Sequence, residues 1–502
     1  MVRSKADILR ATSRHEARHA QPGSGSGSGR SGLSRFVPSK ATVLKGALGA
    51  ASVAAVAAGI HALGTYNPSY EPHRYSGIPA FRKPAATRVA TDRKMKEEAL
   101  WFEDLFGFGD GDGERGAARD PEFKGHREQF TYDKENGSLS LASDPKMKWQ
   151  AGKFEATSLA TLRRQTQTEG KLEPTTPSTI TFVSGDVAVL HGDLDYAGAV
   201  FQAASQFNCL EFISPEDTPE HGVAAYYYDK TQGPACAISC APGTIVRNYF
   251  AMGGTAKKSG AAQNRNVQIN TLDDVNEDLR KRHKPRREGT SLVQVRNGYT
   301  SSTTHQLTKL NKIIASLTEH SRDTTQGLLR VGVQTETQVT CTKLKTGTDE
   351  PWHKVNAASG PLLVTQVYAS ALSVQYAVEK GDTTHADWAP FAKFVLEAAY
   401  EATLHAAVLY AKETKGRRKV VLTALGGGVF GNEPAWISAA IVRALKIFKN
   451  AGLDVVINEY TQGALHKIKR AIAADPETSP LLQSEGAFGR EAKARPVVMY
   501  TE

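Results

Sequence analysis

Cysteine is scarce in this chain: four residues among 502, at positions 209, 236, 240 and 341. Cys236 and Cys240 have no second pair to answer them, so the spacing fits neither a zinc ribbon nor a disulfide framework. All four read as reduced thiols packed like small core residues, which points to a reducing compartment. Internal repeats are absent too, which excludes a solenoid or propeller. There is no phosphate loop: Gly253 to Ser259 carries glycines, lysines and a serine at the wrong spacing. His15, Glu16 and His19 spell a zinc-protease motif, but in a tail without the apolar flanks of a packed helix. Asp110 and Asp112 alternate with glycine without the further ligands and terminal glutamate of a calcium loop. No metal and no cofactor is expected.

The chain does have basic charge, +10 net, unevenly placed. Nine Lys and Arg precede residue 46, against the acids Asp7 and Glu16. A second run, Arg280 to Arg287, is broken by His283 and Pro285 and has no interleaved aromatics. It reads as a solvated face, and no specific nucleic-acid partner is expected.

The texture divides the chain into a basic low-complexity tail (1–41), an apolar helix (42–64), a linker with short docked elements (65–150) and a folded domain (151–502) with an insertion at about 253–325. Residues 46–63, GALGAASVAAVAAGIHAL, are uncharged and near the length that spans a bilayer. Three readings stand: a membrane anchor with the basic tail on the cytoplasmic or matrix side, part of an arginine-rich organelle-targeting segment, or an alanine-rich soluble helix. The first two place the protein at a membrane, in a mitochondrion or plastid.

Within the domain, Thr179 to Leu190 predicts strand, turn, strand, and Tyr196 to Phe207 a helix. Arg330 to Thr342 alternates as a strand does, and Leu362 to Tyr376 is β-rich. Trp388 to Glu413 keeps helical spacing through Phe391, Phe394, Val395, Ala398, Ala402 and Leu409. Val420 to Leu425 predicts a buried strand, Pro434 to Asn450 a helix, and Asp454 to Tyr460 a final strand. That alternation argues for an α/β sheet with parallel pairs.

The unit VVLTALGGGVFGNEPAW, 420–436, carries the strongest chemical signal. Glycines after a strand let backbone amides approach an anion, and the helix start near Pro434 adds favourable potential for phosphate. Gly426, Gly428 and Gly431 also fit a dinucleotide fingerprint, with Glu459 at the end of the next strand facing a ribose. Against that, the fingerprint would lie in the last strand–helix–strand unit with no second half behind it.

LGGGVFGNEP resembles the second ligand loop of the macrodomain superfamily and of its microbial poly(ADP-ribose) glycohydrolase branch. Gly185–Asp186–Val187 resembles the family's aspartate step after a strand, and FQAASQFNCLEF, 201–212, its first ligand loop. The resemblance covers roughly 180–250 and 360–460. It implies a macrodomain-like three-layer α/β/α domain with a mixed sheet, and an ADP-ribose-type nucleotide or an ADP-ribosylated protein as partner. It assigns Asp186 to the base, and Gly426, Gly427, Gly428, Val429, Phe430, Gly431 and Asn432 to the diphosphate. Gln202, Ser205, Asn208 and Glu211 fall to the distal ribose, with Asn208 and Glu211 as the catalytic candidates. Gln202 and Ser205 replace the two asparagines of the family pattern, and no paired-glutamate signature is present. If the protein is an enzyme, the reaction is hydrolysis at the anomeric carbon, with Glu211 assisting proton transfer. The alternative is a membrane-tethered structural or accessory protein with a degenerate pocket. Arg247, Asn248 and Tyr249 form a polar cluster that meets a ligand or serves packing.

Overall fold

The computed structural model describes residues 101–109, 125–169, 176–253, 262–283, 291–347, 350–355, 360–381, 383–414, 416–483 and 490–491. The chain divides into two compact units, 1–83 and 84–502, and every described residue lies in the second. The expectations for the tail 1–41, the apolar run 46–63 and the Asp110–Asp112 segment lie outside the described residues.

In chain order the elements are α1 (Trp101–Phe106), α2 (Gly125–Glu128), β1 (Phe130–Asp133), β2 (Ser138–Leu141), β3 (Lys148–Gln150), β4 (Lys153–Ser158), α3 (Leu159–Thr168), β5 (Thr179–Ser184), α4 (Val187–His191) and β6 (Val200–Ser205). There follow α5 (Gln232–Ser239), α6 (Ala241–Tyr249), α7 (Asp273–His283), β7 (Gln294–Arg296), β8 (Tyr299–Ser301), α8 (Thr304–Ser316), α9 (Glu319–Gln326), β9 (Arg330–Gln338), β10 (Cys341–Thr342) and β11 (His353–Lys354). The last are β12 (Leu363–Ser370), α10 (Val374–Glu379), α11 (His385–Tyr410), β13 (Glu413–Thr414), β14 (Arg417–Leu422), α12 (Pro434–Ile447), β15 (Leu453–Glu459), α13 (Gln462–Ala474) and β16 (Arg490–Glu491).

The main sheet runs β16-β5-β15-β14-β6-β12-β9-β4, with β13 beside β14. It is parallel from β16 to β12 and antiparallel at β9 and β4. Alternation within each strand sorts side chains to the two faces. Val200, Val420, Leu422, Val455 and Ile457 share one apolar core with α3, α8, α11, α12 and α13. Phe201, Val421 and Val456 share another with α4 and α5. The architecture is therefore three layers, α/β/α, around a mixed sheet, as the resemblance implied. A separate antiparallel sheet, β1-β2-β3, packs Phe130, Leu139, Leu141 and Trp149 with Trp101, Phe102 and Phe106 of α1 and with Ile245 of α6.

Three local expectations fail for identifiable reasons. Tyr196 to Phe207 is not a helix: VFQAAS is β6, between β14 and β12 in the sheet, so its neighbours override the helical preference of its two alanines. The apolar run after Asp186 is helix, not strand, because Asp186 Oδ1 accepts from Ala188 N at 3.0 Å and caps it. Ala241–Pro242–Gly243, whose Pro–Gly step reads in the sequence as a turn, instead opens α6, proline being compatible with a first helical turn. The insertion supplies α7, β7, β8, α8 and α9, and α8 packs against α11.

The membrane reading is corrected. Among the described residues no helix is long and apolar enough to cross a membrane. The longest of them, α11 with 26 residues, carries Asp387, Lys393, Glu397 and Glu401 and packs its apolar side into the core beneath the sheet. The membrane anchor, the transmembrane helix and the mitochondrial or plastid placement drop out, and the run 46–63 that prompted them lies outside the described residues.

Candidate functional site

The parallel strands end along one edge, in the order β5, β15, β14, β6, β12. The chain leaving β14 returns through α12 on one face of the sheet, while the chain leaving β6 returns through α5 on the other. Where neighbouring parallel strands send their connections to opposite faces, a crevice opens at their carboxyl ends. The two loops with the strongest sequence signals flank that crevice.

The first is the glycine loop after β14. Gly426 has φ +72°, and a Cβ there would overlap Ala371 and stand 2.6 Å from Asn432 Nδ2, so only glycine fits. Gly427 N donates to Ala424 O at 2.9 Å, Gly431 N to Gly428 O at 3.0 Å and Asn432 N to Gly426 O at 2.9 Å. Beneath the loop, buried Asn432 donates from Nδ2 to Leu372 O at 2.8 Å. Gly428 and Val429 are exposed at its crest. Among the described residues no acceptor takes the amides of Gly428, Val429 or Phe430. These three amide donors precede the start of α12, an arrangement that can seat an anion.

The second is the loop after β6. Ser205 Oγ donates to Gln206 O at 3.1 Å, and Asn208 Nδ2 to Gln268 Oε1 at 2.9 Å. Cys209 sits at φ +61°, a left-handed conformation that strains a non-glycine residue. The Glu211 amide donates to Tyr226 Oη at 3.0 Å. The Glu211 side chain is buried, its Oε1 without a hydrogen-bond partner. A Cβ on Gly233, in the first turn of α5, would stand 2.6 Å from Glu211 Oε2. Burial pushes the Glu211 carboxyl well above the ordinary range, against the opposing pull of Arg247 and a hydrogen bond with Ser205. Arg247 is itself fully buried, 3.5 Å over the Tyr368 ring, with Nε donating to Cys209 O at 3.2 Å.

Aromatic rings join the two loops. Tyr299 Oη donates to Phe212 O at 2.8 Å, while its ring lies 5.6 Å from Phe430 and 5.1 Å from Tyr376. Asp229 lies in the same neighbourhood, its carboxyl raised by burial.

The structure thus puts Ser205, Asn208 and Glu211 at the end of β6 and Gly426 to Asn432 after its neighbour β14, with Tyr299 bridging the two segments. Gln202 lies elsewhere: it is inside β6, its Nε2 donating to Thr403 Oγ1 at 2.9 Å on α11. Asp186 is two strands from β14 and closed off. Its Oδ2 pairs with Lys343 Nζ at 2.7 Å, and both side chains are buried. Tyr227, Lys230 and Trp352 wall the same enclosure. Asp229, Tyr299 and Tyr376 beside the crevice, and Lys343 beside Asp186, were missed by sequence reasoning, since each comes from a distant segment with no motif around it. A cavity of about 390 Å³ lies at the other end of β12, around Lys148, Gln338 and Pro361, and no carboxylate among the described residues lines it.

No family model matches the chain, and no curated protein matches it. Among solved structures it is similar to poly(ADP-ribose) glycohydrolase from Thermomonospora curvata, at 15% identity over 67% of this chain and 94% of that one, with a TM-score of 0.34. It is similar to the enzyme from Deinococcus radiodurans in complex with ADP-ribose, at 11% identity over 64% and 94%, TM-score 0.34. The Thermomonospora enzyme bound to the inhibitor ADP-HPD gives 15%, 67%, 94% and 0.33.

Proposed function

We propose that the protein binds ADP-ribose or a related nucleotide in the crevice over β14 and β6, and that it hydrolyses an ADP-ribosyl linkage there. The observation that carries this reading is the run of three amides, Gly428 to Phe430, without an acceptor among the described residues, in a glycine loop one strand away from a buried carboxyl. The loop and the start of α12 seat the diphosphate. The distal ribose then falls toward the loop after β6, where Ser205, Asn208 and Glu211 stand. Burial shifts the Glu211 carboxyl well above its ordinary range, toward the protonated form that a general acid requires. In the hydrolysis, Glu211 gives its proton to the leaving oxygen as the anomeric C–O bond breaks. The attacking water closes the new C–O bond and returns a proton to the carboxylate.

A second reading is binding without cleavage. It is favoured by the 3% exposure of Glu211, which holds the carboxyl beneath the surface of the crevice. One set of measurements tests both. Calorimetric titration of the full chain with ADP-ribose, with NAD and AMP as controls, is expected to show preference for ADP-ribose. Gly428→Val is expected to weaken binding at least about tenfold, by placing a branched side chain over the donor amides. No atom lies within 4 Å of a Cβ at Gly428, so the melting temperature is expected to stay put. Glu211→Gln is expected to bind as the wild type does and to lose release of free ADP-ribose from an ADP-ribosylated substrate. A folded wild type that binds no ADP-ribose sinks the reading, and binding with no turnover in the wild type leaves the second.

A further inference from the structure

Glu459, which the sequence sets opposite a ribose in a dinucleotide fingerprint, stands where the glycine loop begins and has no part in the proposed function above. It is the last residue of β15, which runs parallel to β14 in the register Leu422 to Ile457. Two residues further on, Ala424 N donates to Glu459 Oε1 at 3.2 Å, so the carboxyl is level with the first residues of the loop. On its other side β15 pairs with β5, and Gly185 N donates to Glu459 O at 2.9 Å. The strand that carries it, β15, therefore lies one strand spacing, about 4.8 Å, from β14 on the side away from β6 and the Glu211 loop. Among the described residues no Lys, Arg or His pairs with it. Burial raises it to about 7, and no cation among the described residues balances its ionised form.

An unbalanced carboxylate beside an anion-binding loop repels the anion. The arrangement makes sense if the ligand brings hydroxyl donors to that position along with its phosphates, since a carboxylate accepting two O–H donors is strongly bonded. The unit β14–glycine loop–α12–β15–Glu459 has the geometry in which an acid at the end of the second strand meets the ribose of a nucleotide whose phosphates rest on the loop. We propose that Glu459 is the ribose-reading residue of this crevice: its carboxylate accepts from the 2′- and 3′-hydroxyls of the nucleoside ribose whose diphosphate lies on Gly426 to Gly431, and the site thereby selects ribonucleotides over deoxyribonucleotides. This rests on the nucleotide-binding reading above and adds to it which end of the ligand faces β15. The nucleoside half points to β5 and the distal ribose to β6.

The test is titration of the full chain with ADP-ribose, then with ADP and 2′-deoxy-ADP. The wild type is expected to bind ADP about tenfold or more tightly than 2′-deoxy-ADP, the usual effect of removing one hydroxyl from a charged acceptor. In Glu459→Ala the two affinities are expected to converge. Glu459→Gln, which retains an acceptor for Ala424 N and so protects the loop, is expected to narrow the gap while keeping the wild-type melting temperature. Equal affinities for ADP and 2′-deoxy-ADP in a wild type that binds ADP-ribose overturn this proposal alone. So does a gap that survives in folded Glu459→Ala. A folded wild type that binds no ADP-ribose overturns it together with the reading it rests on.

Discussion

At the scale of single residues, glycines separate what a ligand needs from what the fold needs. Gly428 is open to solvent on its Cβ side, whereas a Cβ on Gly233 would overlap Ala204 O and press on Glu211 Oε2. The backbone of β6 is held at Ala204 by its pairing with Ala369 of β12. Gly233→Ala is therefore expected to destabilise the protein by about 2–3 kcal/mol, the range for overfilling a packed interior, and to displace the carboxyl it touches. Urea denaturation of Gly233→Ala beside Gly428→Ala checks this, and equal midpoints for the two variants would show that the Gly233 contact is slack. The contrast also marks how far the site was legible in the sequence. Three successive glycines after a β-branched run announce Gly428. Gly233 sits in an undistinguished TQGPAC stretch, and its constraint comes from Ala204 and Glu211, which only the folded chain brings to it. Gln202 shows the converse: its place in a resembled motif pointed to a ligand, but a side chain in the middle of β6 faces Thr403 and the layer below.

At the scale of elements, α11 is held by more than apolar contact. Glu401, buried in its middle, receives Arg163 of α3 at 2.6 Å and Arg443 of α12 at 2.7 Å, with His405 at 3.8 Å. Burial raises the carboxyl, but His405, Arg163 and Arg443 outweigh it and hold it at about 2. Since the folded value lies below the ordinary 4.5, the native state binds fewer protons than the unfolded chain in the interval between. This cluster thus contributes its full stability above about pH 4.5 and loses it as pH falls toward about 2. Glu401→Ala leaves two guanidinium groups without their shared carboxylate. It is expected to cost about 2–3 kcal/mol at pH 7, towards the lower end for a buried pair because both arginines keep some solvent. The cost is expected to shrink below pH 4.5, which urea midpoints at pH 7 and pH 3.5 would reveal; a cost independent of pH would mean that packing, not the ion cluster, is what the substitution removes. The helix itself was readable from its apolar spacing, as were β14 and β15 from their valine runs. The clamp was not readable, because Arg163 and Arg443 lie 238 and 42 residues from Glu401.

At the scale of the whole molecule, the alternation of strand and helix from β12 onward was enough to indicate parallel pairing, because each apolar period there matches its element. The order of strands was not legible: β6 enters the sheet between β14 and β12, so the crevice joins loops more than 200 residues apart. Nor was the attachment of β1-β2-β3, since three short strands with polar edges read as linker until Trp149 and Phe130 are seen against α1 and α6. That attachment raises the question of whether the small sheet unfolds with the main one, and the cysteines are placed to answer it. Cys209, Cys236 and Cys240 lie in the apolar core that α4 and α5 form on the main sheet, and Cys341 in the core beneath β1-β2-β3. All four are free and buried; burial pushes Cys209 and Cys341 up to about 12, and Cys236 and Cys240 upward too. Reaction with a thiol reagent at pH 8 therefore requires opening of the surrounding structure, since only an exposed thiolate attacks. Because Ile245 and Tyr249 of α6 share the Cys341 core while Arg247 of the same helix reaches Cys209 O, the two cores are expected to open as one unit. Labelling against urea, read by mass for each cysteine, should then give a single dependence for all four thiols. Labelling of Cys341 at clearly lower urea would instead make the small sheet a subglobal unit that opens while the crevice stays closed.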